Sequence, residues 1–196
     1  GLFRIQHIFG ELVNERDNLD SVLISKNINI DINTYVRGSA IIRKGNLSEG
    51  ILIEGVNKLP HNLYFSGLDK FDGEKLIIGK SLSNNLGLKI GDRVIISPIE
   101  KNNNPYNIKF NSIEIGGIFN SGMPEYDKTL VYVSLEKAKK IFDIGKDISG
   151  YIINSSDLSF KDGAQISDYV KYPLYLESWK DRHQIIFDWI QVQRLP

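Results

Sequence analysis

An α+β fold in two lobes is what this 196-residue sequence predicts, and three observations carry the expectation. Apolar and polar residues alternate in short runs along the whole chain, at the period of two that half-buried strands require. Short amphipathic helix patterns lie between those runs, without the long βαβ units of a doubly wound parallel sheet. Strand and helix patterns of the same kind open and close the chain, and a hairpin-rich centre separates them, so the two ends are expected to form one layer with the middle inserted as a second lobe. Length alone suits one large domain or two small ones.

Taken in order, "LFRIQHI" (2–8) reads as a strand and "RDNLDSVLISKNI" (16–28) as a short helix with Leu19, Val22 and Leu23 on one face. "TYVRGSAIIRK" (34–44) and "EGILIEGV" (49–56) alternate around "GNLS" and read as a hairpin. The most organised stretch is "KLIIGKSLSNNLGLKIGDRVIISP" (75–98): strand, helix with Ser81 as its cap, a left-handed terminus at Gly87, a Gly91-Asp92 turn, and a second strand. "SIEIGGIF" and "KTLVYVS" are expected to pair across "NSGMPEYD", and Ser134 caps a helix that turns Ala138, Ile141 and Phe142 inward. "ISGYIINSS" is a further strand. The chain closes with helix "FKDGAQISDYV", strand "LYLESW" and an amphipathic helix "KDRHQIIFDWIQVQR" that buries Ile185, Ile186, Trp189 and Ile190.

Lys and Arg total 24, as do Asp and Glu, so no net field draws nucleic acid or anionic lipid, and no basic run of binding-patch length occurs. The absence of Cys removes disulfides, thiolate metal sites and cysteine nucleophiles. No apolar run reaches the ~18–20 residues of a spanning helix. Gly1 in place of an initiator Met, and the amphipathic run before Pro196, read as excision points in a longer protein.

Candidate chemistry is thin. "IIGKSLS" places Gly-Lys-Ser after a strand, but "EKLII" stands where a phosphate loop needs its first glycine, so no backbone nest can wrap a phosphate. His7, His61 and His183 share no metal-ligand spacing. Glu125 and Asp127 in "SGMPEYDKT" are the nearest to an acid and base pair, yet no nucleophile or oxyanion glycines accompany them and turns enrich Asp for backbone reasons. No catalytic, cofactor-binding or metal-ligating residue is assigned, and the residues themselves read as a non-enzymatic binding or interaction domain.

The order of "IIGKSLSNNLGLKIGDRVIISP", preceded by "YVRGSAIIRKG" and "GILIEGVN" and followed by "GGIFNSGMPEYDKTLVYVSLEKAKKIF", "ISGYIINSSD" and "LESWKDRHQIIFDWIQVQR", resembles the permease subunits of lipoprotein-releasing ABC transporters of the Lol type (LolC/LolE-like), within the macrolide-exporter (MacB) and FtsX-like group. The likeness runs from about Ile32 to Arg194. It implies a large extracytoplasmic domain set between two transmembrane helices of the subunit, in the periplasm of a Gram-negative inner-membrane protein. A porter-like lobe is expected from residues 1–36 and 147–196, and an inserted sabre-like lobe from residues 37–146. It further implies lipoprotein cargo, a periplasmic carrier (LolA-like), a second permease subunit as homo- or heterodimer, and ATP hydrolysis by a separate cytoplasmic subunit (LolD-like).

Carrier-binding members of that family use a protruding hairpin, which corresponds here to residues 97–112. Its polar tip, "EKNNNPYNIK", places Asn102, Asn103, Asn104, Pro105, Tyr106 and Asn107 as the expected partner-binding residues, with Pro105 matching the family's tip proline. A proline suits the role because its fixed φ lowers the entropy lost on clamping. The competing expectation is a macrolide-exporter-like permease domain that docks an adaptor protein.

Overall fold

The computed structural model describes residues 3–14, 31–60, 63–67, 71, 73–99, 110–154 and 166–178. Its elements in chain order are β1 (Phe3–His7), β2 (Val13–Asn14), β3 (Asp31–Lys44), β4 (Leu47–Val56), β5 (Tyr64–Ser66), β6 (Leu76–Gly79), α1 (Lys80–Leu86), β7 (Arg93–Pro98), β8 (Asn111–Asn120), α2 (Pro124–Thr129), β9 (Leu130–Ser134), α3 (Leu135–Phe142), β10 (Asp147–Ile148), β11 (Gly150–Asn154) and β12 (Leu174–Ser178). The fold is α+β and dominated by strands, as the alternation predicts. Two units divide the chain: Gly1–Tyr35 with Lys146–Pro196, and Val36–Gly145.

In the central unit six strands close on themselves. β4 follows β3 as its neighbour and runs parallel to β9, with Ile53 beside Val131. β9 pairs antiparallel with β6, and β6 parallel with β8. β7 completes the ring, antiparallel to β8 on one edge and to β3 on the other. Closure leaves no open edge among these six strands, which is how a small barrel avoids presenting unpaired backbone. Alternation then decides what lies inside: Ala40, Ile42, Ile51, Ile53, Leu76, Ile78, Val94, Ile96, Ile113, Ile115, Val131 and Val133 form one buried cluster, joined by Leu82 and Leu86 of α1 and by Leu135, Ala138 and Ile141 of α3.

The local signals behave as expected where the chain is organised. Gly87 ends α1 with φ 59°, ψ 39°, and the Leu88 N–H donates to the Ser83 carbonyl at 2.8 Å, a left-handed terminus that glycine adopts without Cβ strain. Ser134 caps α3 by accepting from the Lys137 N–H at 3.1 Å, and its hydroxyl donates to the Gly73 carbonyl. Two expectations are corrected. β8 and β9 do not pair; β6 lies between them, and "MPEYD" starts a short helix rather than a hairpin turn because Pro124 supplies a first helical residue with its φ already set. Nor does Ser81 cap α1: Gly79 occupies the cap position, without any side-chain hydrogen bond, and Ser81 lies inside the first turn.

The other unit is a four-stranded antiparallel sheet in the order β12-β1-β11-β3, the last contributing its first residues. Phe3, Ile5, Tyr151 and Ile153 line one face and bury against Val13, Ile148 and Ile166. The opposite face carries a partly buried polar network: the Tyr35 hydroxyl donates to Gln6 Oε1 at 2.8 Å, Gln6 Nε2 donates to the Tyr175 hydroxyl, and the Arg4 guanidinium lies 4.5 Å over the Tyr35 ring. The helices expected over 16–28 and 180–194, and most of that over 160–170, lie outside the described residues.

Gly79 has an unforeseen role. A Cβ built there falls 2.0 Å from the Asp127 carbonyl oxygen, backbone that cannot swing aside. Gly79→Ala is expected to lower unfolding free energy by about 1–3 kcal/mol, as overpacking does, whereas Ser97→Ala on the outer face stays within about 0.5 kcal/mol; chemical denaturation checks both.

Acid sensitivity is expected where β3 meets the turn before β7. Lys44 Nζ donates to Asp92 Oδ2 and, at 3.2 Å, to the Gly87 carbonyl, while the Lys89 N–H donates to Asp92 Oδ2 at 2.8 Å. The Lys44 hydrogen bond, and after it that from the Lys89 N–H, hold the Asp92 carboxyl below the ordinary carboxylate range. Folding thus lowers this pKa, and the unfolded chain binds more protons in acid. The contribution is complete above the ordinary value of roughly 4 and fades as pH falls through the lowered one. The unfolding midpoints of wild type and Asp92→Asn should therefore converge on acidification; a constant gap would contradict the assignment.

Candidate functional site

The expected partner-binding hairpin has β7 and β8 as its two arms. Alternation in "RVIISP" and "NSIEI" turns Val94, Ile96, Ile113 and Ile115 into the core, and the two strands pair from Arg93 opposite Glu114 to Ile96 opposite Asn111. The base is fixed by backbone bonds on both sides of the turn: the Gly91 N–H donates to the Ile115 carbonyl at 2.8 Å and the Ile115 N–H to the Asp92 carbonyl at 2.9 Å. On the far edge of β7 the Ile99 N–H still donates to the Ser39 carbonyl at 2.9 Å, so β3 holds the strand up to the start of the tip. Asn102, Asn103, Asn104, Pro105, Tyr106 and Asn107 lie outside the described residues; what the fold supplies is their root.

That root carries side chains that alternation alone passes over. With Ala40, Ile42, Val94 and Ile96 inside, Ile41, Arg43, Arg93, Ile95 and Ser97 point outward. Register sets Ile41 opposite Ser97 and Arg43 opposite Ile95, with Ser112 beyond. Ile41 and Ile95 are exposed, and so are Ile99 and Phe110, which directly flank the tip. The legible signal was the doubled isoleucine in "AIIRK" and "VIIS": adjacent apolar residues on a strand cannot both face one core.

The remaining candidates have structural employment. Asp127 is buried, and its Oδ1 accepts from the Ser121 N–H at 3.0 Å and the Ser121 hydroxyl at 2.6 Å, which ties the start of the "SGM" turn to α2. Glu54, also buried, accepts from Arg37 Nε at 3.1 Å and from Arg37 Nη2 at 2.5 Å, a guanidinium contact typical of a paired interior charge. Sequence reasoning missed this pair, because β3 and β4 bring the two residues together only through their pairing. Lys80 of "GKS" is exposed at the first residue of a seven-residue helix. His7 stands 3.6 Å from Glu11; His61 and His183 lie outside the described residues, among which no group of three potential metal ligands gathers.

Asp127→Ala leaves the half-buried Ser121 N–H without its acceptor, beside the site of a buried carboxylate, and is expected to cost about 1–3 kcal/mol of stability. Asp127→Asn, which keeps an acceptor oxygen, should lie much closer to wild type in thermal and urea unfolding.

No family model matches the chain, and no curated protein matches it by sequence. Solved structures do resemble it. The periplasmic region of MacB from Actinobacillus actinomycetemcomitans superposes with a TM-score of 0.60 at 14% identity, covering 99% of this chain and 93% of that one. The extracellular domain of the noncanonic ABC-type transporter YknZ from Gram-positive bacteria gives 0.54 at 13% identity, covering 90% of this chain and 99% of that one. The chain shares the strand-dominated α+β fold of these two domains.

Proposed function

We propose that the chain is the extracytoplasmic domain of the membrane subunit of an ABC transporter, in which the β7–β8 hairpin grips a partner protein. The observation that carries this reading is the root of that hairpin. A closed ring of strands holds both of its arms, and an unusually polar ten-residue segment with a central proline joins them. The fold likeness to two transporter domains supports the setting. Within it, residues 1–36 with 147–196 act as the porter-like lobe and 37–146 as the sabre-like lobe. The domain itself performs no chemistry; ATP is hydrolysed by a cytoplasmic subunit.

The finer reading is lipoprotein release at a Gram-negative inner membrane. The full subunit pairs with a second permease, takes lipoprotein cargo and passes it to a periplasmic carrier held by Asn102–Asn107. Outward Ile41, Ile95, Ile99 and Phe110, with Arg43 and Arg93 beside them, favour protein contact at the same hairpin, because interface cores are rich in aromatic residues and Arg and poor in Lys and Glu. A macrolide-exporter-like permease that docks an adaptor is the second reading, favoured by the likeness to the MacB periplasmic region over nearly the whole chain.

Binding of the purified chain to the cognate carrier and to a cognate adaptor separates the two. Carrier binding that drops at least tenfold in Pro105→Gly, and vanishes when residues 101–107 are deleted, is the expected result. Adaptor binding without carrier binding favours the second reading, and binding to neither refutes both.

A further inference from the structure

We propose that the outward face of β3, β7 and β8 holds a notch, centred on Ser97, that takes one apolar side chain of the protein gripped by the neighbouring hairpin. Register draws the notch. Ser97, half-buried, stands directly opposite Ile41 of β3. On its other edge, the ladder that sets Ile96 opposite Asn111 has Ser97 and Phe110 as its next residues. Along its own strand Ile95 precedes it and Ile99 follows it by two positions, the spacing that returns a side chain to the same face. Directly opposite residues have Cβ atoms ~5 Å apart, and residues two along a strand stand ~7 Å apart, so four apolar side chains ring one small hydroxymethyl group. Ile41, Ile95, Ile99 and Phe110 are 39%, 42%, 54% and 64% exposed. Single exposed apolar residues are ordinary; a contiguous ring of four around a small side chain is a recess of the size that receives an interface anchor.

Charge states what must flank that anchor. Arg43 lies opposite Ile95, and Arg93 lies two residues before Ile95 on the same face. Both are exposed, and neither belongs to an ion pair among the described residues. Glu114, opposite Arg93, is already held by Lys75, with Nζ 2.8 Å from its Oε1. The apolar ring therefore has two uncompensated guanidinium groups along one margin. Its complement is a protein surface that projects a Leu, Ile, Met or Phe side chain with carboxylates beside it, which guanidinium groups hold through paired hydrogen bonds. A lipid surface fits less well. An interfacial element sinks its apolar side chains about 5–10 Å into the headgroup boundary, and Ile41 and Ile95, each less than half exposed on a sheet, have no such reach. The inference rests on the hairpin reading for the protein that arrives, and adds what that protein must bring to this face.

Affinity of the 196-residue chain for the purified cognate carrier and the purified cognate adaptor tests it. Ser97→Trp fills the recess from an outward strand position and should weaken binding about tenfold or more, whereas Ser97→Ala, which leaves the recess open, stays within about twofold. Arg43→Glu combined with Arg93→Glu should slow association about fivefold or more at low salt and flatten its salt dependence, while circular dichroism stays native in all variants. Unchanged binding in Ser97→Trp, when deletion of residues 101–107 still abolishes it, overturns the notch and leaves the hairpin reading standing. A loss in Ser97→Ala as large as in Ser97→Trp also overturns it, because the hydroxyl and not the recess then makes the contact. Binding to phosphatidylglycerol vesicles that the double arginine variant removes, with protein binding unaltered, overturns it in favour of a lipid contact. A wild-type chain that binds neither protein removes the hairpin reading and the notch together.

Discussion

Closure of the ring through β7 is the constraint on which the rest of the central unit depends. β7 is six residues long, yet it bonds to β3 on one edge and β8 on the other, and without it both would be open edges with their inner isoleucines facing water. With it, thirteen strand residues from six strands share one interior, and α1 and α3 add their apolar faces to the same cluster. The Lys44–Asp92 contact sits where this closure is most exposed, at the turn that delivers the chain into β7. The segment that joins β7 to β8 therefore starts from backbone committed on both sides.

Legibility followed the range of each interaction. The succession β6, α1, Gly87, the Gly91-Asp92 turn and β7 is local, since each piece is fixed by propensity, capping or a turn residue within about ten positions, and it could be read from the sequence. The partners of β8 and β9 could not. Adjacency in the chain favoured a hairpin, but the structure inserts β6, which comes from some forty residues upstream of β8, because pairing is decided by which faces bury together rather than by proximity in sequence. Gly79 shows the same limit. Nothing in its own stretch of sequence points to the Asp127 carbonyl, a contact between segments nearly fifty residues apart that only a residue without a Cβ allows. At the candidate site, the alternating flanks and the polar tip were plain; the outward isoleucines, read only for their buried neighbours, were not.

The carboxylates tell a consistent physical story. Glu54 meets a guanidinium, Asp127 gathers an amide and a hydroxyl, and Asp92 joins an ammonium and an amide. A general acid and base pair needs two groups whose surroundings push their pKa values apart while both still reach a substrate. Here each group's lone pairs face neighbouring elements, and its role is to join them: β3 to β4 for Glu54, the turn after β8 to α2 for Asp127, and β3 to the turn before β7 for Asp92.

The partner-gripping role proposed for the hairpin makes different demands. A loop that must be clamped loses conformational freedom, at roughly 1–2 kcal/mol for each backbone residue newly fixed, so reach is useful only if little of the loop remains to be ordered. In the proposed reading, ladder bonds that run as far as Ile99 would shorten the part a partner has to immobilise, and the fixed φ of Pro105 would remove one more degree of freedom. The less of the loop that is left to order, the more of the contact energy remains for affinity, so in that reading the committed root matters as much as the tip.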